Sequence, residues 1–176
     1  KDGGSMNEMI NPVVRLSSLT LENIKNVRKG TVCVPMAGIT KAGILGIYGQ
    51  NGSGKTTVID ALYFLRQIMM GNELEPAITD YMNSESDHAE ITAEFIISGN
   101  ENTLYEVGYH VQLKNTDSKV YIDREFLNCA VTKNGSRSNK NIFMDYQKNQ
   151  IDIVFKPLKR LEELIGKDKN IKMDLI

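Results

Sequence analysis

The sequence lacks the features that mark several functional classes. It has two cysteines, two histidines and no apolar run close to the roughly 20 residues of a membrane span, and no signal peptide is visible. Cys33 and Cys129 match no metal-ligand spacing, which favours two buried free thiols in a reducing compartment. His88 and His110 are isolated, so no histidine-based metal site is indicated. We therefore predict a soluble, cytoplasmic protein without membrane contact.

An excess of charge of one sign is also missing. Lys and Arg number 21, Asp and Glu number 22, and the net charge is −1. Nucleic-acid binding therefore cannot be argued from net charge. Locally, acidic residues cluster between Glu85 and Glu94, and basic residues cluster between Lys133 and Lys140. Such clusters are usually solvated faces, and we interpret both in that way.

The first part of the chain indicates short strands. With 176 residues and 41% hydrophobic content, the chain has the size of one ordinary domain with a real core. Apolar segments at 13–24 and 31–35, joined by a turn at 28–30, predict an antiparallel hairpin. The run "ILGIYG" at 44–49 is bounded by glycine, which favours a buried central strand.

The pattern then becomes helical and later alternating. From Lys55 apolar residues recur at helical spacing, and Gly71 with Asn72 ends the run as a C-cap would. In 104–114 the odd positions are apolar and the even positions mostly polar, the pattern of a half-buried strand. The strands of the predicted antiparallel meander are 90–97, 104–114, 119–132, 141–146 and 151–155. Pro157 suits the first turn of a final helix, and the open tail after Gly166 suggests a chain cut there.

One stretch carries a specific chemical signal. Residues 49–56, "GQNGSGKT", match G-x-x-x-x-G-K-[ST], the phosphate-binding P-loop. Glycines allow the bend that makes successive N–H groups converge on phosphates, and the following helix N-terminus adds free N–H groups and a positive dipole end. Lys55 would supply a point charge to the β- and γ-phosphates, and the Thr56 hydroxyl would bind Mg²⁺. Four fixed positions would match by chance only at about the one per cent level.

These observations predict a nucleotide site and a division of the chain. The predicted nucleotide-binding residues of the loop are Asn51, Gly52, Ser53, Gly54, Lys55, Thr56 and Thr57, with Thr56 also binding the metal. The predicted parts are an expression-tag remnant at 1–5, a P-loop core at 6–71, an acidic loop at 72–89, an antiparallel β subdomain at 90–156, and a helix with an open end at 157–176. The predicted cofactors are ATP and Mg²⁺.

Two further stretches carry a family resemblance. "LTLENIKNVRKGTVCV" (19–34) resembles the opening strand–turn–strand of ATP-binding-cassette (ABC) ATPases of the SMC, RecF and OLD-like branch, which includes "AAA family" defence ATPases. "GQNGSGKTTVIDAL" (49–62) resembles that branch's P-loop and helix. The resemblance implies an α/β fold, the N-terminal part of an ABC-type P-loop NTPase head, with the antiparallel meander inserted after the P-loop helix. It also implies that Lys25 reaches the nucleotide phosphates.

The resemblance implies a function as well. Two heads of this branch sandwich ATP, so self-association or a partner head at the nucleotide face is expected, with nucleic acid contacted through the complete protein. The expected role is an ATP-driven dimerisation switch in DNA repair or antiviral defence. Two alternatives remain open, a stand-alone nucleotide sensor and a small-metabolite phosphotransferase. The sequence around Asn139 lacks the Asp of the guanine-reading N-K-x-D motif.

The catalytic motifs of the branch are not visible. Its ATPases have four apolar residues followed by Asp-Glu, but in "NIFMDY" (141–146) Tyr146 follows Asp145, which we interpret as a strand-end residue. Gln147 and Gln150 are weak candidates for a metal-contacting glutamine, and no Ser-Gly-Gly signature is present. We therefore predict no catalytic residue in this chain, and ATP hydrolysis only as part of a complete protein.

Overall fold

The computed structural model describes residues 13–35, 44–72, 76–99, 102–116, 119–148 and 154–155. The described elements are β1 (Val14–Ile24), β2 (Val27–Cys33), α1 (Lys55–Met69), a 3-10 helix (Pro76–Tyr81), β3 (His88–Ser98), β4 (Thr103–Thr116), β5 (Lys119–Lys133), β6 (Ser136–Arg137), β7 (Asn141–Gln147) and β8 (Val154–Phe155). The predicted tag remnant at 1–5, Gln150 and the helix at Pro157 lie outside the described residues.

The described strands form a single antiparallel sheet. Its order is β2-β1-β3-β4-β5-β7-β8, and β6 pairs with β5. The predicted hairpin and the predicted meander are both present, and β1 pairs antiparallel with β3 to join them into one sheet. The fold is thus a mostly antiparallel sheet with one described α-helix. The domain boundaries, and the idea that the meander is an insertion, stay predictions.

The register of the sheet explains its core. Leu19 lies opposite Ala93, which lies opposite Tyr109 on the next strand, so three neighbouring strands present these residues on one face. The buried residues of this face are Leu19, Leu21, Ala89, Ile91, Ala93, Tyr109, Val111 and Leu113. The alternation predicted in 104–114 is confirmed for Tyr109, Val111 and Leu113, because successive side chains of a strand point to opposite faces.

The helix α1 covers this apolar face. Thr57, Ala61, Phe64 and Leu65 are its buried residues, spaced as one face of a 3.6-residue period requires. The 3-10 helix completes the cover, since the rings of Phe64 and Tyr81 lie 5.4 Å apart. At the end of α1, the N–H of Gly71 donates to the Ile68 carbonyl and Gly71 has φ +67°, which agrees with the predicted C-cap.

Three predictions for the first part of the chain are wrong. Cys33, at the end of β2, is exposed and not buried, whereas Cys129 is buried. The hairpin turns at Lys25 and Asn26, between the paired residues Ile24 and Val27, and not at 28–30. Lys25 adopts φ +49°, so a non-glycine residue provides the bend, and Gly30 lies within β2.

Residues 44–49 form no strand: no described strand pairs with them, and a strand needs a hydrogen-bonding neighbour. The side chains of Ile44 and Tyr48 are accordingly 97% and 93% exposed.

Candidate functional site

The glycine-rich loop bends where glycine is required. Gly52 and Gly54 adopt φ +82° and +89°, values that L-residues with a side chain rarely adopt. The N–H of Ser53 donates to the Gln50 carbonyl at 3.2 Å and closes a turn inside the loop. Gly54 is the N-cap of α1 and contributes no side-chain cap, so the first N–H groups of the helix remain available to a ligand.

The ammonium group of Lys55 contacts this loop. Its Nζ donates to the carbonyls of Gly49 and Gln50, at 2.7 Å and 2.6 Å. The ammonium is thus held by two loop carbonyls. Because Lys55 is the first residue of α1, its side chain starts where the helix N–H groups can bind an anion. The predicted contact of Lys55 with the β- and γ-phosphates stays a prediction.

The turn of the hairpin packs directly on the loop. A Cβ at Gly54 would lie 2.6 Å from Cγ2 of Val27, which no real contact allows. Asn26 donates from Nδ2 to the Gly52 carbonyl and accepts at Oδ1 from the Thr57 hydroxyl, at 2.9 Å. Sequence reasoning missed Asn26. The signal available was its position beside Lys25 in the strand–turn–strand motif.

Lys25 has another partner in this structure. Its Nζ forms an ion pair with the Asp60 carboxylate on α1 and lies 4.9 Å from the centre of the Tyr81 ring. Asp60 follows Lys55 by five residues, so Lys25 lies beside the second turn of the helix. The predicted contact of Lys25 with phosphate stays a prediction and requires its side chain to leave Asp60.

The loop residues differ in what they can offer a ligand. Asn51, Gly52, Ser53 and Thr56 are exposed, and the Thr56 hydroxyl at the helix start is available to a cation. Thr57 is only 3% exposed and its hydroxyl is bound to Asn26, so it could bind a nucleotide only through its backbone N–H. The donor set therefore fits a magnesium-bound polyphosphate: convergent N–H groups, one ammonium and one hydroxyl.

Asp145 lies far from the phosphate loop. It lies within β7, separated from β1 by β3, β4 and β5, so four strand spacings of about 4.8 Å place it roughly 19 Å from the hairpin. Its carboxylate accepts two hydrogen bonds from Arg124, both 3.0 Å long. These bonds hold the pKa of Asp145 below its usual value. Asp145 is therefore a structural ion-pair residue inside a strand, and Gln147 ends that same distant strand.

Several members of the two charged clusters form ion pairs. Glu85 pairs with Arg28, and Glu94 with Lys140. Arg137 donates to both carboxylate oxygens of Glu106, at 2.8 Å and 2.7 Å. The described residues thus support the interpretation of these clusters as solvated faces. Among the same residues, no group of three His, Cys, Asp or Glu could hold a metal ion, and no helix is long and apolar enough to cross a membrane.

We expect Asp145→Asn to lower the free energy of unfolding at pH 7 by about 1 kcal/mol, because Arg124 loses a paired, charge-assisted partner. Since folding depresses the pKa of Asp145, its contribution is present above the ordinary Asp pKa and is lost as pH falls through the lower folded value. In urea unfolding between pH 2 and 7, the stability difference between wild type and variant should therefore begin to shrink near pH 4 and vanish only below the lowered folded pKa of Asp145.

The control for this prediction is Glu85→Gln. Its partner Arg28 has a side chain that is 82% exposed, so this ion pair should contribute almost nothing. Equal losses of stability in both variants, or a difference between Asp145→Asn and the wild type that does not depend on pH, would contradict the assignment.

Comparison with known proteins identifies the class. A family model described as an AAA domain matches residues 18–175. The DNA replication and repair protein RecF of Deinococcus radiodurans is 33% identical over 95 residues, which cover 54% of this chain and 24% of that protein. The SbcC component of the nuclease SbcCD of Clostridium acetobutylicum is 32% identical over 82 residues, 47% of this chain and 7% of that component. The chromosome partition protein Smc of Methanocaldococcus jannaschii is 29% identical over 100 residues, 54% and 8% of the two chains.

These matches define a P-loop ATPase domain of the SMC and RecF type, which confirms the predicted resemblance. The chain belongs to the AAA domain family whose model it matches. It spans between 7% and 24% of the length of the three relatives.

Proposed function

We propose that this chain is the ATP-binding head segment of a nucleic-acid-associated ABC-type ATPase. The observation that carries the proposal is the glycine loop closed around Lys55 at the uncapped start of α1. The names of the relatives, which include a DNA repair protein and a nuclease component, support a role near nucleic acid. They favour DNA repair over antiviral defence, and the proposal includes a cytoplasmic location.

Different residues of the loop would contact the phosphates and the metal. Bound ATP-Mg²⁺ supplies the phosphoanhydride bond and a metal that neutralises phosphate charge. Lys55 would exchange the carbonyls of Gly49 and Gln50 for phosphate oxygens. The N–H groups from Asn51 to Thr57, apart from that of Ser53, would orient the phosphates. Thr56 would offer its hydroxyl to the metal. Lys25 could add a second positive charge only by leaving Asp60.

The proposed switch requires a second head to close on the nucleotide face. Support comes from apolar side chains left uncovered beside the loop, among which Ile44 and Tyr48 are nearly fully exposed and Ile59 on α1 is 65% exposed. Exposed apolar side chains that group into one patch often mark an interaction site, and the proposal takes these three as such a patch. We propose that ATP bound at the loop brings this face against a partner head, and that hydrolysis separates the heads.

Binding without appreciable turnover is the expected behaviour of the isolated chain. Phosphate contacts that stabilise ground state and transition state equally do not accelerate hydrolysis. The carboxylate that the sequence pattern offered, Asp145, lies in a distant strand, and Asp60 is paired with Lys25. Titration calorimetry should detect ATP-Mg²⁺ binding, and phosphate release at saturating ATP should stay below about 1 s⁻¹.

Guanine nucleotide provides the control for this measurement. Phosphate contacts carry no base information, so GTP-Mg²⁺ should bind within about tenfold, or 1.4 kcal/mol, of ATP-Mg²⁺. Absence of binding at millimolar ATP-Mg²⁺ would refute the proposed function. Turnover above the stated limit would show that a catalytic group is already present in the chain.

A further inference from the structure

One side chain outside the P-loop motif connects the hairpin turn to both halves of the loop. Asn26 donates from Nδ2 to the carbonyl of Gly52 in the loop. It accepts at Oδ1 from the Thr57 hydroxyl in the first turn of α1. The Thr57 hydroxyl is buried, so without this acceptor it would carry the cost of an unsatisfied buried donor. We propose that Asn26 is a positioning residue that holds the phosphate loop in its nucleotide-binding shape, an inference that rests on the proposed function.

The Gly52–Ser53 peptide is held from both sides. Asn26 binds its carbonyl oxygen, and its N–H, which belongs to Ser53, donates to the Gln50 carbonyl at 3.2 Å. Because a peptide group is planar, fixing both of its polar atoms fixes the orientation of the plane. The directions of the neighbouring loop N–H groups depend on the orientation of this peptide plane. Its orientation therefore determines whether they converge on a bound phosphate.

The turn that carries Asn26 is itself firmly anchored. The N–H of Lys25 donates to the Tyr81 carbonyl at 2.8 Å, and Nδ2 of Asn83 donates to the Lys25 carbonyl at 2.9 Å. The N–H of Asn83 also donates to the Asn23 carbonyl at 2.9 Å. The segment 81–83, which follows α1, thus holds the hairpin turn by hydrogen bonds. The Asn26 amide therefore contacts the loop from a fixed position. Pre-organisation of this kind reduces the ordering that a ligand must impose on binding.

The contact needs a side chain at position 26 that both donates and accepts. The side chain must donate to one backbone oxygen and accept from one hydroxyl, and a short amide provides both. An alanine would provide neither, leaving the Gly52 carbonyl free to rotate and the Thr57 hydroxyl without its acceptor. The effect should appear in phosphate affinity, although Asn26 itself need not touch the ligand.

The test uses the 176-residue chain with Asn26→Ala, Thr57→Val and the double variant. Titration calorimetry with ATP-Mg²⁺ and with inorganic triphosphate should give affinities about tenfold weaker for Asn26→Ala, a loss expected from one or two hydrogen bonds. The double variant should lose less than the product of the two single losses, because both substitutions break the same contact. Hydrogen exchange of loop amides from Asn51 to Lys55 should be faster in nucleotide-free Asn26→Ala.

The matched control is Thr31→Val, which removes a side-chain hydrogen bond to Thr20 in the same hairpin without touching the loop. It should leave both affinity and loop exchange unchanged. If wild-type protein binds ATP-Mg²⁺ and Asn26→Ala binds equally well, the positioning role is refuted while the proposed function stands. A lower melting temperature with unchanged affinity and loop exchange would likewise show a purely structural role. If the wild type itself fails to bind either ligand, the proposed function has failed.

Discussion

Lys55→Ala should weaken ATP-Mg²⁺ binding by more than about 100-fold, close to 3 kcal/mol, the scale of one or two charge-assisted hydrogen bonds to phosphate. The reason is the position of Nζ, which lies between the carbonyls of Gly49 and Gln50 at the start of α1. Those carbonyls belong to an exposed loop and can bind water once the ammonium is removed, so the fold should be retained. Titration calorimetry gives the affinity, and urea unfolding should show a stability change below about 0.5 kcal/mol.

Lys29→Ala is the matched control for this charge. It removes one lysine from the same region, but its Nζ pairs with Glu22 on the hairpin and its side chain is 71% exposed. Affinity for ATP-Mg²⁺ should be unchanged in this variant. A Lys55→Ala protein that binds as tightly as the wild type would refute the assignment of the loop. Equal losses in both variants would instead indicate a nonspecific charge effect.

Gly54→Ala should damage both the loop and the fold. The new Cβ would lie 2.6 Å from Cγ2 of Val27, and the backbone at φ +89° would be strained for any L side chain. The strain costs about 1–2 kcal/mol and the overlap adds more, so a stability loss of about 2–3 kcal/mol is expected. Because the loop must shift to relieve the contact, ATP-Mg²⁺ affinity should fall by more than about 100-fold, as judged by calorimetry and urea unfolding.

Three further variants separate strain from overlap. Gly52→Ala has φ +82° but no atom within 4 Å of its new Cβ, so it should show the strain alone. Gly71→Ala, at φ +67° and equally open, should lose about 1 kcal/mol of stability without loss of affinity, since it lies at the far end of α1. Val27→Ala added to Gly54→Ala should restore part of the affinity. If the double variant recovers no affinity, and Gly54→Ala loses no more affinity and stability than Gly52→Ala, the hairpin does not shape the loop.

The sequence alone determined the features that depend on neighbours along the chain. The P-loop could be recognised because its bend needs glycine at fixed positions, and Gly52 and Gly54 do adopt positive φ. The helix from Lys55 to the cap at Gly71 followed from a 3.6-residue period, and the strand with Val111 followed from a two-residue period. Each of these signals arises from local backbone geometry, so it can be read without knowing the fold.

Only the tertiary structure decided which distant segments meet. The run 44–49 has the composition of a strand, yet no described strand offers it hydrogen-bond partners. Lys25 lies against Asp60, and Asp145 against Arg124, across separations of 35 and 21 residues. Asn26 reaches the phosphate loop because the paired strands β1 and β2 carry their turn to the start of α1. A side chain's partner depends on register and packing over the whole sheet, and no local pattern in the sequence encodes that geometry.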